Sequence, residues 1–186
     1  MKYEPLIEDT YYHIYNCGNN KENLFVEDEN YLYFLLLIKK YLLQVSDILS
    51  YCLLKNHSHL LIKTKPNLES KIISQQFSNL FNAYAKAINK KYNRTGSLFK
   101  DRFLRIKIHN EDYLKSLIIY IHKNPVHHNF TENFSNYKHS SYASIISTKP
   151  TLLNRDFVVN LFENNSNFEF VHKKKQLNII QEFVLE

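Results

Sequence analysis

Residues 47–63 read DILSYCLLKNHSHLLIK, and this stretch decides the fold. Asp47 to Leu54 is a short apolar run of the length of a buried strand. Lys55-Asn56 supplies a tight turn, since asparagine tolerates left-handed backbone. His57 to Lys63 then reads as the next strand. Upstream, Tyr11 to Cys17 alternates and is rich in aromatic and β-branched residues, so it too reads as a strand. Gly18-Asn19-Asn20 turns the chain, and Asp28 or Glu29 opens a long apolar helix to about Leu43. Downstream, Asn67 caps a helix whose Leu68, Ile72, Ile73, Phe77, Leu80, Phe81, Tyr84 and Ile88 keep a helical period, ending near Asn93. Phe103 to His109 alternates again: Leu104, Ile106 and Ile108 face one way, Phe103, Arg105, Lys107 and His109 the other. Asn110 caps a further helix that runs to about Asn124 and is stopped by Pro125.

The order strand, helix, strand, strand, helix, strand spells an α+β, ferredoxin-like split βαβ fold. Its antiparallel sheet carries two helices on one face and leaves the other face for a site. The helix after Asn110 is extra to that plan. From Pro125 to about His139 the chain is polar; Asn154–Glu163 and Gln176–Val184 read as two short helices separated by Asn164–Asn167. The expected division is one domain over 1–147 and a C-terminal helical extension over 148–186.

The 186 residues are ample for one core, and 44% hydrophobic content with 15% aromatics marks a folded chain. There are only 2 glycines, Gly18 and Gly96, so no glycine-rich phosphate loop can be written. Cys17 and Cys52 form no metal-spaced set, and a reduced protein is the expectation. The opening MKYEPLIEDT has no apolar signal region, and Tyr31–Ile38 is too short to span a bilayer. A cytoplasmic protein without membrane contact is expected.

Charge is unevenly placed. The chain carries a net +6, yet Lys86 to Lys107 alone carries +7, from eight basic residues against Asp101, and the rest is −1. Three of the four arginines, Arg94, Arg102 and Arg105, lie in that stretch. A solvated helix face would also be charged, but arginine confined to one segment points to a polyanion, and Arg94, Lys100, Arg102, Arg105 and Lys107 are the candidate contacts.

Two spacings carry chemistry. In His57-Ser58-His59 the imidazoles at i and i+2 of a strand share a face and can share a metal, although two surface histidines would look the same. In Tyr120-Ile121-His122-Lys123-Asn124, Tyr120 and Asn124 share a helix face. A tyrosine hydroxyl can attack phosphorus and an amide oxygen can ligate a metal; core packing and a helix cap are the plainer roles.

The blocks YHIYNCGNNKENLF (12–25), YCLLKNHSHLLIK (51–63), NRTGSLFKDRFLRIKI (93–108), YLKSLIIYIHKNPV (113–126) and SSY (140–142) resemble, in order and spacing, the signature blocks of HUH single-tyrosine transposases, above all the REP-associated tyrosine transposases. The resemblance runs from about Tyr11 to Tyr142, and the tail over 156–183 looks like that group's C-terminal extension. It implies the same split βαβ fold and a metal-dependent single-stranded DNA endonuclease and strand transferase. His57 and His59, with Asn124, would hold Mg or Mn, and Tyr120 would form a 5′-phosphotyrosine and release a 3′-hydroxyl. Hairpin DNA would be the partner. A single tyrosine implies a monomer acting in sequential reactions or a homodimer.

One departure stands out: the family usually has a large apolar residue between the histidines, and here it is Ser58. A serine facing the helix layer gives up packing and needs a hydrogen-bond partner. A catalytically inactive, domesticated DNA-binding protein shares most of these features. An RNA-binding split βαβ domain would carry aromatics where His57 and His59 stand, and an unrelated two-histidine hydrolase lacks further ligands nearby. Tyr92, Phe99 and Phe103 lie among the basic residues, where they can stack on bases or pack in the core.

Overall fold

The structure, a computed structural model, describes residues 4–174. Four strands form one sheet: β1 (Tyr11–Cys17), β2 (Ser46–Leu54), β3 (His57–Thr64) and β4 (Leu104–Lys107). Their order is β2-β3-β1-β4, with each neighbouring pair antiparallel. That is the split βαβ arrangement the sequence predicts.

One face of the sheet carries α1 (Asp28–Leu37), which continues through a π-helical turn over Ile38–Leu42, and α2 (Ser70–Lys91). The α2 stripe of Ile73, Phe77, Leu80, Phe81, Tyr84 and Ile88 is buried at its predicted period, while Ile72 lies off the stripe at 46% exposure. Aromatic edges and faces fill this layer. Tyr84 packs 4.9 Å from Phe34 and 5.4 Å from Phe25, and its hydroxyl donates to the Leu24 carbonyl at 2.8 Å. Phe99 and Phe103 are buried here against Phe81, so these two rings serve the core rather than an exposed stacking surface. Tyr92 donates its hydroxyl to Glu27 at 2.6 Å.

The other face carries α3 (Glu111–His127). Asn110 caps it as expected, its side chain accepting from the Tyr113 amide at 2.7 Å, with Glu111 and Asp112 in the favoured first turn. Its buried residues go well round the helix, because α3 is covered by the sheet on one side and by later helices on the other. These are α4 (Tyr142–Ile146), α5 (Arg155–Leu161) and α6 (Asn165–Lys174). The polypeptide between Tyr137 and Asn154 also shields the β2 edge: the Leu53 amide donates to the His139 carbonyl, the Ser141 amide to Tyr51, and the Asn154 amide to Ile48.

Several boundaries differ from expectation. Asn67 does not cap α2; it adopts a left-handed φ of 58°, its amide donates to the Glu8 carboxylate, and the helix begins at Ser70. β4 is four residues instead of the seven from Phe103 to His109. α3 runs through Pro125 to His127. A proline one turn from a helix end removes only one late hydrogen bond, and its own carbonyl is taken by the Phe130 amide at 2.8 Å. Asn164–Asn167, expected as a break between two helices, instead opens α6, with the Asn164 side chain accepting from the Asn167 amide at 2.9 Å. The helix expected over 176–184 lies outside the described residues.

Ser58 faces the α1–α2 layer, as expected, but its hydroxyl is buried with no hydrogen-bond partner among the described residues.

Candidate active site

Strand register assigns the faces. Directly paired residues share a face. Tyr15 pairs with His59 on one side and Leu104 on the other; Cys17 pairs with His57; His13 pairs with Leu61 and Ile106. So His13, Tyr15, His57 and His59 all lie on the face that α3 covers. Arg105 pairs with Ile14, and Lys107 with Tyr12, so both belong to the opposite, α2-facing side.

α3 brings its own groups onto this face. Asn124 is fully buried, with Oδ1 3.2 Å from Nε2 of His57. One turn earlier, the Tyr120 ring stands edge-on to His59 at 5.9 Å between centroids. One turn later, His128 meets His57 at 4.6 Å. The spacing i, i+4, i+8 keeps all three on the sheet-facing stripe. His57, His59 and Tyr120 are 4%, 1% and 3% exposed, so the seam between sheet and helix is closed in this conformation.

Each candidate ligand imidazole is held from its far nitrogen. Nδ1 of His57 is 2.8 Å from Oδ1 of Asn56, and Nδ1 of His59 is 2.9 Å from Nε2 of His13. Asn56 Oδ1 can only accept, so Nδ1 of His57 carries a proton, and in the neutral ring Nε2 offers a lone pair. That lone pair faces another acceptor, Oδ1 of Asn124. Two acceptors at 3.2 Å repel unless a proton or a cation lies between them. Two adjacent ligands of an octahedral Mg ion stand about 3 Å apart, which fits this separation. The Asn124 amide nitrogen is buried with no hydrogen-bond partner among the described residues. The donor set of two imidazoles and one amide oxygen therefore fits a divalent ion that keeps positions for water and a phosphate oxygen. Among the described residues no cluster of three or more His, Cys, Asp and Glu forms a fuller cage. His13 is consistent with this, as its Nε2 is aimed at His59.

His122 turns the other way. Its Nδ1 is 2.9 Å from Nε2 of His172 on α6, and its Nε2 is 2.7 Å from the Ser141 hydroxyl. Burial pushes both imidazoles down, His172 to about 4; protonating both rings at once is further opposed at His122, and at His172 the Phe168 carbonyl partly offsets burial while Lys123 adds to it.

The basic candidates do not converge on Tyr120. A groove of about 950 Å³ opens on the opposite side of the sheet, between α2 and the 96–105 segment. Ser74, Ser78, Asn82, Asn89, Arg102 and Arg105 contribute to its walls. Arg105 lies 4.2 Å over the Phe103 ring and donates to the Glu4 carbonyl at 3.2 Å. Arg102 and Lys100 are exposed. Arg94 is engaged within the protein, ion-paired to Glu22 and donating to Asn89 at 2.9 Å. His13, His128 and the His122–His172 pair were not singled out from sequence. Alternation does place His13 and Tyr15 on one face of their strand, but only the β1–β3 register shows that this face is the one with His57 and His59.

Two strand-borne imidazoles, a helix-borne tyrosine and an amide thus meet in an α+β split βαβ domain, between α3 and the sheet face opposite α1 and α2. The comparison with protein families then places it. The IS200-like transposase family matches residues 7–124, and the chain belongs to that family. It is thus a transposase of the IS200 type, a family of DNA-transposing enzymes. Among solved structures, a REP-associated tyrosine transposase bound to a REP hairpin has the same fold, with a TM-score of 0.64 and 17% identity over 81% of this chain and 88% of that one. A Deinococcus radiodurans R1 protein described as a transposase aligns more loosely, with a TM-score of 0.41 and 14% identity over 62% of this chain and 91% of that one. No curated protein matches the chain. Among the described residues no helix is long and apolar enough to cross a membrane.

Proposed function

We propose that the chain is a metal-dependent single-stranded DNA endonuclease and strand transferase that acts at hairpin-associated sites through Tyr120. The observation that carries this reading is the seating of Tyr120 and Asn124, one turn apart on α3, over His57 and His59 of β3. His57, His59 and Asn124 would hold Mg or Mn, which when bound neutralises charge on a non-bridging phosphate oxygen. The Tyr120 oxygen attacks phosphorus, the bond from phosphorus to the 3′ oxygen breaks, and that oxygen leaves as a 3′-hydroxyl. The proton lost by the phenol balances the proton gained by the leaving oxygen. The 5′-phosphotyrosine keeps the energy of the diester, so a 3′-hydroxyl can reverse the step and join strands. Because Tyr120 and both imidazoles are closed from solvent, a phosphate reaches them only once the seam between β3 and α3 opens.

The basic 86–107 segment supports a single-stranded substrate whose flanks run past the β4 edge toward the groove beside α2. A relative of the same fold is bound to a hairpin, which supports hairpin DNA as the partner. The test is an incubation of labelled hairpin oligonucleotides with protein and Mn. An adduct that survives denaturation is expected with the natural chain and lost in Tyr120→Phe, while hairpin binding persists. Binding without any adduct would reassign the chain to a DNA-binding protein without catalysis.

A further inference from the structure

We propose that His13 is a positioning residue of the metal site: its imidazole fixes the tautomer and the direction of the His59 ring. The inference rests on the reading of His57 and His59 as metal ligands and adds a residue which that reading does not contain.

His13 is 1% exposed on β1. Its neighbours in the strand, Tyr12 and Ile14, face the α1–α2 core, so His13 occupies a buried position on the site face where an apolar side chain would cost less. Its Nε2 is 2.9 Å from Nδ1 of His59, with ring centroids 5.1 Å apart and planes 21° from parallel. Nitrogens that close with centroids that distant mean the rings meet edge to edge, along a hydrogen bond. Tyr15 lies 5.1 Å from His13 and 6.2 Å from His59 and limits the movement of both.

Proton placement follows from valence. A metal-binding imidazole gives a lone pair from one nitrogen and keeps its proton on the other. With Nδ1 of His59 directed at His13, the ligand atom is Nε2, Nδ1–H donates, and His13 Nε2 accepts. His57 is held in the same sense by a different residue: its Nδ1 faces Oδ1 of Asn56 at 2.8 Å. Both ligand rings thus carry a partner on Nδ1 and present Nε2. The partner of His59 is a neutral imidazole in place of the more usual carboxylate or carbonyl. It orients the ring without adding negative charge to a site that must accept a phosphate.

Three proteins test this: the natural chain, His13→Leu, which keeps bulk but cannot accept, and His13→Gln, which can. The first readout is Mn affinity of the DNA-free protein, followed by electron paramagnetic resonance. His13→Leu should bind Mn roughly 10–100-fold more weakly, and His13→Gln should regain most of that loss. All three should bind hairpin DNA equally in the absence of metal. Equal affinity in His13→Leu and the natural chain, or an equal loss in Leu and Gln, would overturn the proposal. The second readout needs no variant: nitrogen-15 spectra of the natural chain should show His59 as the Nδ1–H tautomer, and an Nε2–H tautomer would overturn it. If the natural chain binds no Mn at His57 and His59, the metal-site reading fails first and takes this proposal with it.

Discussion

His122 on α3 and His172 on α6 are hydrogen-bonded at 2.9 Å and both fully buried, so the helix that bears Tyr120 is tied to the last described helix by two uncharged imidazoles. The Phe168 carbonyl accepts from Nδ1 of His172 at 2.7 Å, and Ser141 completes the set on His122.

This contact makes stability depend on pH. A histidine whose folded pKa is lowered leaves the unfolded chain as the better proton binder. Its stabilising contribution is whole above 6.5 and is lost as pH falls toward the folded value. For His172 the fall from 6.5 to about 4 corresponds to about 3 kcal/mol. Urea unfolding at pH 7 and pH 4.5 should show a loss that is smaller by roughly 2 kcal/mol in His172→Leu than in the natural chain. Parallel losses in the two proteins would show that the pair does not control acid sensitivity.

Ser58 lies 1% exposed between Asn16 and Leu53 of the neighbouring strands, its hydroxyl buried with no hydrogen-bond partner among the described residues. Removing that hydroxyl should relieve a penalty of about 1 kcal/mol. Ser58→Ala is expected to raise Tm by roughly 2–4 °C without changing Mn affinity, because residue 58 faces away from both imidazoles. Differential scanning calorimetry reads this directly, and a lowered Tm would mean that the serine is stabilising after all.

The arginines should separate in a salt titration of single-stranded DNA binding. Arg102 and Arg105 stand at the groove, and each alanine variant should weaken binding and lower the slope against log salt by about 0.7. Arg94→Ala should leave the slope unchanged and instead cost stability, since its guanidinium is taken by Glu22 and Asn89. A slope change with Arg94 and none with Arg102 would place the DNA path elsewhere.

In the proposed metal site Asn124 serves through its oxygen alone. Asn124→Ala should reduce Mn affinity roughly tenfold or more, while Asn124→Asp, which keeps an oxygen at that place, should bind Mn at least as well as the natural chain. Calorimetric titration of Mn compares the three. Unchanged affinity in the alanine variant would remove Asn124 from the ligand set.

Much of this was legible in the sequence where a single element sufficed. Alternation gave the strands, a 3.6-residue period gave α2, and i, i+2 and i, i+4 spacing gave the pairs His57/His59 and Tyr120/Asn124. What could not be read depends on register or on distant partners. That Arg105 faces α2, away from His59, follows only from its pairing with Ile14. The meeting of His13 with His59 depends on residues 46 positions apart. Asparagine misled twice in opposite ways: Asn67 turned left-handed where a cap was expected, and Asn164 capped a helix where a break was expected. The same side chain suits both conformations, and only the neighbouring fold decides between them.

In the proposed mechanism two imidazoles on β3 and an amide on α3 hold one divalent ion beside Tyr120. Anomalous diffraction from crystals soaked in manganese tests it most directly and needs no knowledge of the DNA target. A single strong peak is expected within ligand distance of Nε2 of His57, Nε2 of His59 and Oδ1 of Asn124. A map with no peak there at high manganese, with His57 and His59 hydrogen-bonded only to protein groups, would contradict it.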